Sequence, residues 1–340
     1  MSADQGYEAL LVLSFGGPNC LEDVPEFLRR VTEGKRIPAE RIAEVAERYE
    51  LFGGRSPHNE HVQALLVAIS ESFRRQGLPL ALYWGNRYWH PFVAEAIAEM
   101  ASEGIRRALA LILTPFGSYS GCRQYLRDVE LAREQWGGGA PQVDRLRLFF
   151  NHPLFIAAVA DRVNQAATRL PECEPADRSI VFTAHSLPLF MAAKAPYAKQ
   201  FAEASRLVAE QLGISRYELA YQSRSGSPTE PWLEPDLEST LRKLHHQGVK
   251  QVIVVPIGFL IENMETIFDL DTEAAALAED LGLQMARAST VGNHPQFVAM
   301  VQQLVQERLN PAMPRAALGP MGPWPDRCPD DCCLLAECGS

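Results

Sequence analysis

The feature that most narrows the folding choices is an alternation of short apolar runs with longer amphipathic stretches, sustained along nearly the whole chain. Ala9–Phe15 (ALLVLSF), Leu80–Trp84, Arg107–Pro115, Ser179–Ala184 (SIVFTA), Tyr217–Tyr221 and Gln251–Pro256 (QVIVVP) read as buried strands, and Gln142–Phe150 as an extended segment. Between them, apolar residues recur at helical spacing over Leu21–Thr32, Ala39–Tyr49, Glu60–Gln76, Pro91–Glu103, Arg123–Gln135, Leu154–Thr168, Ala193–Leu212, Leu237–Gln247, Glu265–Leu281 and Pro295–Leu309. Strand–helix alternation of this kind is the pattern of a parallel sheet covered on both faces.

The theme occurs twice. LLVLSFGGP (Leu10–Pro18) is matched by IVFTAHSLP (Ile180–Pro188), and ALILTPFGS (Ala110–Ser118) by VIVVPIGFL (Val252–Leu260). A chain of 340 residues exceeds what one core usually spans. The expected fold is therefore α/β, with two similar doubly wound, Rossmann-like domains over residues 1–150 and 151–312. A cysteine-rich tail, 313–340, follows. Ligands in such sheets bind beyond the carboxyl ends of the strands, which places the active-site cleft between the domains.

Charge and hydropathy exclude several classes. A net charge of −10, with no basic run, excludes nucleic acid as a partner. No apolar stretch is long enough for a transmembrane segment. The start, Met1–Tyr7, is polar and acidic, unlike a secretory signal, so a cytoplasmic location with reduced cysteines is expected. No Gly-x-Gly-x-x-Gly follows a strand, which argues against a dinucleotide site.

His185 follows SIVFTA at the tip of a core strand, where reactive groups are commonly placed. Glu265, Asp269 and Glu273 recur every four residues and share one helical face, with Glu262 and Asn263 available to cap the helix. Read separately, these are a structural histidine and a solvated acidic face. Read together, they suit one reaction. A porphyrin loses two pyrrole protons as a divalent metal enters, which calls for a base beside the ring and carboxylates to strip and deliver the metal. The cysteines add a second centre: Cys328, Cys332, Cys333 and Cys338 crowd the terminus, a spacing compatible with zinc, an iron–sulfur cluster or an exposed redox group.

Seven motifs, LLVLSFGGP, FGGRSPHN, YWGNRYWHP, GSYSGCRQY, FTAHSLP, YQSRSGSPTEPWLEPD and PIGFLIENMETIFDLD, together resemble the ferrochelatases over essentially the whole chain. The resemblance implies an enzyme that takes a porphyrin and Fe2+ as substrates in heme biosynthesis. It implies that His185 handles metal or protons, that Glu265 faces it from the opposite side of the cleft, and that Asp269 and Glu273 continue an acidic path. Arg48, Ser56 and Tyr125 match positions that contact porphyrin propionates, and Phe15 would form an apolar wall. Trp89 and Trp232 are candidates either for the cleft lining or for the core. Where the family commonly has Asp-His ahead of the glutamate, this chain has Glu262-Asn263, which removes an accessory histidine.

The resemblance also implies a [2Fe–2S] cluster held by Cys122 and three tail cysteines: Cys328, Cys332 and Cys333, with Cys338 the alternative. Cys20 and Cys173 read as ordinary thiols. Coproporphyrin III is the favoured substrate over protoporphyrin IX, because four propionates suit the polar GSYSGCRQY segment. The competing readings are a cobalt chelatase of the same fold and a non-catalytic tetrapyrrole carrier. Transient contacts with neighbouring heme-pathway enzymes are a further expectation.

Overall fold

The structure, a computed structural model, describes residues 6–34, 37–225, 229–329 and 331–333. Two four-stranded parallel sheets organise the chain. The first contains β1 (Ala9–Ser14), β2 (Ala81–Asn86), β3 (Arg107–Ile112) and β4 (Gln142–Arg145) in the order β2-β1-β3-β4. The second contains β5 (Arg178–His185), β6 (Tyr217–Gln222), β7 (Gln251–Val255) and β8 (Gln284–Arg287) in the matching order β6-β5-β7-β8. In each, the most apolar strands lie inside. β1 and β7 are buried at every residue, as strands covered on both faces must be.

The helices are α1 (Val24–Thr32), α2 (Ala39–Leu51), α3 (His58–Gln76), α4 (Val93–Ser102), α5 (Gln124–Trp136), α6 (Pro153–Ala167), α7 (Leu189–Ala192), α8 (Tyr197–Gln211), α9 (Leu237–His246), α10 (Met264–Ile267), α11 (Ala275–Asp280) and α12 (Pro295–Leu309). The duplication extends to their caps. His152 precedes Pro153 of α6, His294 precedes Pro295 of α12, and each imidazole Nδ1 accepts a backbone N–H two residues on, at 3.2 Å. Proline at the first helical position gives up a donor that has no partner there anyway.

α3, α6, α8 and α12 lie between the sheets, and one continuous core joins them. It runs from Leu10 and Val12 of β1 through Leu65, Phe155, Phe201 and Phe297 to Ile253 and Val255 of β7. Outer clusters close the far faces, beneath α4 and α5 on one side and α9 and α11 on the other. A buried ion pair, Arg147 to Glu307 at 2.7 and 2.8 Å, ties the segment after β4 to α12.

Three expectations need correction. The helix read as Ala193–Leu212 starts four residues later, because α8 begins only after Pro196, and the separate short α7 ends at Ala192. The helix read as Glu265–Leu281 is α10, then a wide π-helical turn over Phe268–Ala274, then α11. β8 was not anticipated. It is a four-residue edge strand whose exposure varies residue by residue, so it carries no apolar run.

Candidate active site

β5 ends at His185, paired in register with Gln222 at the end of β6. The neighbouring backbone approaches closely: a Cβ on Gly258 would stand 2.7 Å from that of Ala184, so only glycine lets the turn after β7 pass the strand end. One contact orients the imidazole and another anchors its backbone. Nδ1 lies 2.6 Å from the Ser186 carbonyl, and the His185 backbone carbonyl accepts the Tyr197 hydroxyl at 2.9 Å. A carbonyl only accepts, so Nδ1 carries the proton, and in the neutral ring Nε2 presents its lone pair.

Nε2 lies 3.6 Å from Glu265 Oε1. This corrects the expectation that the two residues face each other across a cleft. A gap of that size admits no porphyrin, so histidine and glutamate stand side by side on one wall, both from the second sheet's half of the chain. Asn263 caps the helix that carries Glu265, its Oδ1 accepting the Thr266 N–H at 2.8 Å. The position where the family resemblance implied a histidine thus shapes a helix start here. Met264, next in line, packs among Val24, Phe27, Leu28, Tyr49 and Trp89, so the glutamate's helix is wedged against the other half.

The acidic row continues outward. Asp269 Oδ2 accepts the Ser223 hydroxyl at 2.5 Å and lies 3.4 Å from the Gln222 amide. Ser223 has φ of 62°, a left-handed conformation unusual for serine, and this strained backbone sits where the hydroxyl meets the carboxylate. Arg48 reaches across from α2, its guanidinium 3.8 Å from Asp269, 3.2 Å from Glu273 and 3.0 Å from Glu44. It also stacks on the Phe268 ring at 4.1 Å. Side-chain exposure is 45% for Glu265, 11% for Asp269 and 53% for Glu273, so the row dips inward and emerges again.

Electrostatics follow the geometry. Burial disfavours the charged form of His185, but the Glu265 carboxylate, the Ser186 carbonyl and the Asp269 charge outweigh it and raise the imidazole pKa. Burial, then the neighbouring Glu265 charge, pushes Asp269 up to about 6.

The expected porphyrin contacts are scattered. Phe15, at the tip of β1, is 41% exposed and packs on Tyr88 with ring centres 4.7 Å apart. It occupies in β1 the place that His185 occupies in β5. Ser56 is buried against Gly17, Tyr125 is buried under the Arg87 guanidinium, and Arg48 is already paired with the acidic row. Trp89 and Trp232 are both buried, and Trp89 belongs to the cluster around Met264. Ser223, Gln222 and Tyr197 escaped the sequence reading, whereas the cap expected from Glu262 or Asn263 is made by Asn263. Only Ser223 and Gln222 had a signal, the YQSRSGSPTEPWLEPD motif that contains them.

At the far edge, the tail after α12 crosses the body as a strap. Arg147 and Asn151 donate to the carbonyls of Ala316, Leu318 and Gly322, and Trp324 packs on Phe150. Arg145 donates to the Asp326 carbonyl at 2.6 Å and to Cys328 Sγ at 3.0 Å. Arg123 donates to the Cys332 carbonyl, and the Cys333 N–H to the Lys194 carbonyl. The sulfurs form a chain of contacts: Cys122 with Cys333, Cys333 with Cys332 at 3.5 Å, and Cys332 with Cys328. Among the described residues, no three His, Cys, Asp or Glu side chains converge on one point as a ready metal site. Even so, four contiguous thiols, one buried in the body, are a donor set that fits iron–sulfur ligation. Cys338 lies outside the described residues, Cys20 is exposed, and Cys173 contacts Gln251.

Paired parallel sheets of matching order, with a histidine and a carboxylate row at one strand-end wall, give the chain a chelatase fold. Two solved structures share the fold at 11% identity. They are the sirohydrochlorin chelatase SirB from Bacillus subtilis subspecies spizizenii with cobalt (TM-score 0.52) and SirB from Bacillus subtilis with Fe3+ (TM-score 0.55). Each covers 89% of this chain, which spans 95% and 96% of them. Within that fold the chain belongs to the ferrochelatase family, whose family model matches residues 7–309. It is 47% identical to a ferrochelatase of Rhodopirellula baltica, covering 98% of this chain and 95% of that one. It is 46% identical to a coproporphyrin III ferrochelatase of Frankia alni, covering 96% and 86%. The activity is insertion of iron into a porphyrin. Among the described residues, no helix is long and apolar enough to cross a membrane.

Proposed function

We propose that this ferrochelatase acts on coproporphyrin III, with His185 as the base for the pyrrole protons and Glu265, Asp269 and Glu273 as the metal and proton path. The observation that carries the assignment is His185 Nε2, left unprotonated by the Ser186 contact and set 3.6 Å from Glu265 at the inner end of the row. Two protons leave the ring as one Fe2+ enters. His185 accepts a proton at Nε2 and passes it to Glu265, and a carboxyl titrating near 6 at Asp269 relays it toward the exposed Glu273. The same oxygens replace water on the incoming cation. Phe15 gives the porphyrin an apolar surface, and Arg48, Ser56 and Tyr125 serve its propionates. To do so, Arg48 exchanges Glu44 or Glu273 for a substrate carboxylate.

The substrate choice rests on relatives from Frankia alni, Streptomyces griseus and Mycolicibacterium smegmatis, 46%, 44% and 44% identical, each named a coproporphyrin III ferrochelatase. Cys122, Cys328, Cys332 and Cys333 would hold a [2Fe–2S] cluster, which would supply a redox-active centre apart from the insertion chemistry. Metal insertion followed by absorbance, with Fe2+ and each porphyrin in turn, tests the substrate. Faster turnover of coproporphyrin III is expected, and equal or greater turnover of protoporphyrin IX would overturn the choice.

A further inference from the structure

Between residues 262 and 273 the chain carries five carboxylates: Glu262, Glu265, Asp269, Asp271 and Glu273. Like charges this close repel. Glu265, Asp269, Asp271 and Glu273 also sit on a helix whose middle is a wide π-type turn, a rare form mostly confined to a single turn. Something beyond the helix must hold it.

Arg287, at the end of β8, lies at the place where that support is needed. Its Nη1 donates to both oxygens of Glu262, at 2.9 and 3.1 Å. Its Nε and Nη2 donate to the two oxygens of Asp271, at 2.6 and 2.9 Å. Glu262 is buried and also accepts the Thr290 N–H at 2.9 Å. One guanidinium therefore grips the chain just before α10 and again inside the wide turn. Glu265 and Asp269 lie on the stretch between these two grips. The arginine also sorts the charges: Glu262 and Asp271 are held on the β8 side, while Glu265, Asp269 and Glu273 face His185 and Arg48.

We propose that Arg287 is a positioning residue for iron insertion, fixing the spacing of Glu265 and Asp269 without touching substrate. The inference rests on the reading of Glu265 and Asp269 as the metal-handling acids. A planar fork with a carboxylate at each end is not reproduced by a point charge, so lysine restores only part of the function.

The test compares Arg287→Met, Arg287→Lys and Asp271→Asn with the unaltered protein, measuring kcat, KM for Fe2+, and porphyrin affinity by fluorescence quenching. Asp271 is partly exposed, so its variant reports even where Arg287→Met fails to fold. Misplacement of the acids should lower kcat/KM for Fe2+ by about ten- to a hundredfold in Arg287→Met, less in Asp271→Asn and Arg287→Lys. Porphyrin affinity should stay within about twofold, a split that general loss of structure does not produce. Unchanged Fe2+ kinetics in Asp271→Asn and Arg287→Lys, or a loss shared equally by porphyrin binding, would overturn the proposal. Glu265→Gln serves as the control. An active Glu265→Gln refutes the reading of the acids themselves, whereas an inactive one beside normal Arg287 variants refutes only the role of Arg287.

Discussion

Asp269→Asn should make this protein more stable and a poorer catalyst at once. The Asp269 carboxyl is nearly buried, beside Glu265 and within reach of Glu273, and its pKa stands at about 6 against an ordinary 3.8. A shift of about two units corresponds to roughly 3 kcal/mol. The sign follows from proton counting. Between the two pKa values the folded chain binds more protons than the unfolded one, so stability falls as pH rises through that window. The cost is complete above pH ~6, about half as large near pH 5 and nearly gone below pH ~4. Asparagine removes the titration while keeping an acceptor for the Ser223 hydroxyl, and it gives up the 3.8 Å approach of Arg48 and the attraction to His185. Urea unfolding of porphyrin-free, iron-free protein should show Asp269→Asn more stable by about 1–3 kcal/mol at pH 8, with about half that gain at pH 5. Iron insertion should fall by about tenfold or more, because an amide relays no proton. A gain of the same size at both pH values, or a loss at both, would show that Asp269 is not held protonated by its surroundings.

His185→Ala should abolish insertion and leave porphyrin binding intact, read by absorbance and fluorescence on the same preparation; retained turnover would remove the histidine from the reaction. In the unaltered protein, insertion should rise with pH through a midpoint above the ordinary imidazole value of about 6.5, because the base must be neutral. Cys122→Ser should lose visible absorption and cluster iron together; if both persist, the ligands lie elsewhere.

Much of this arrangement was legible from sequence because it rests on long, strongly patterned elements. SIVFTA and QVIVVP announce interior strands, and the residues just past them are exposed by topology alone, which placed His185 and the segment bearing Glu265 correctly. The relative position of the two was not legible. Whether adjacent loops face each other or stand side by side depends on strand order, and β7 turned out to neighbour β5 directly. The wide turn was hidden because carboxylates four residues apart share a face in either helix type. β8 is too short and too exposed to show a pattern, so Arg287 had no visible partner. Ser223 depends on a backbone dihedral that no composition rule predicts for serine.

The strap of tail after α12 has a consequence for how its cysteines would take up the proposed cluster. Its contacts to Arg147, Asn151, Arg145, Arg123 and Lys194 are hydrogen bonds made by protein alone. The conformational entropy of ordering this segment is therefore offset in part by contacts that need no metal. Binding energy that a floppy peptide would spend on folding around its metal is left to appear as affinity. Loss of the proposed cluster should accordingly leave these protein-to-protein hydrogen bonds in place.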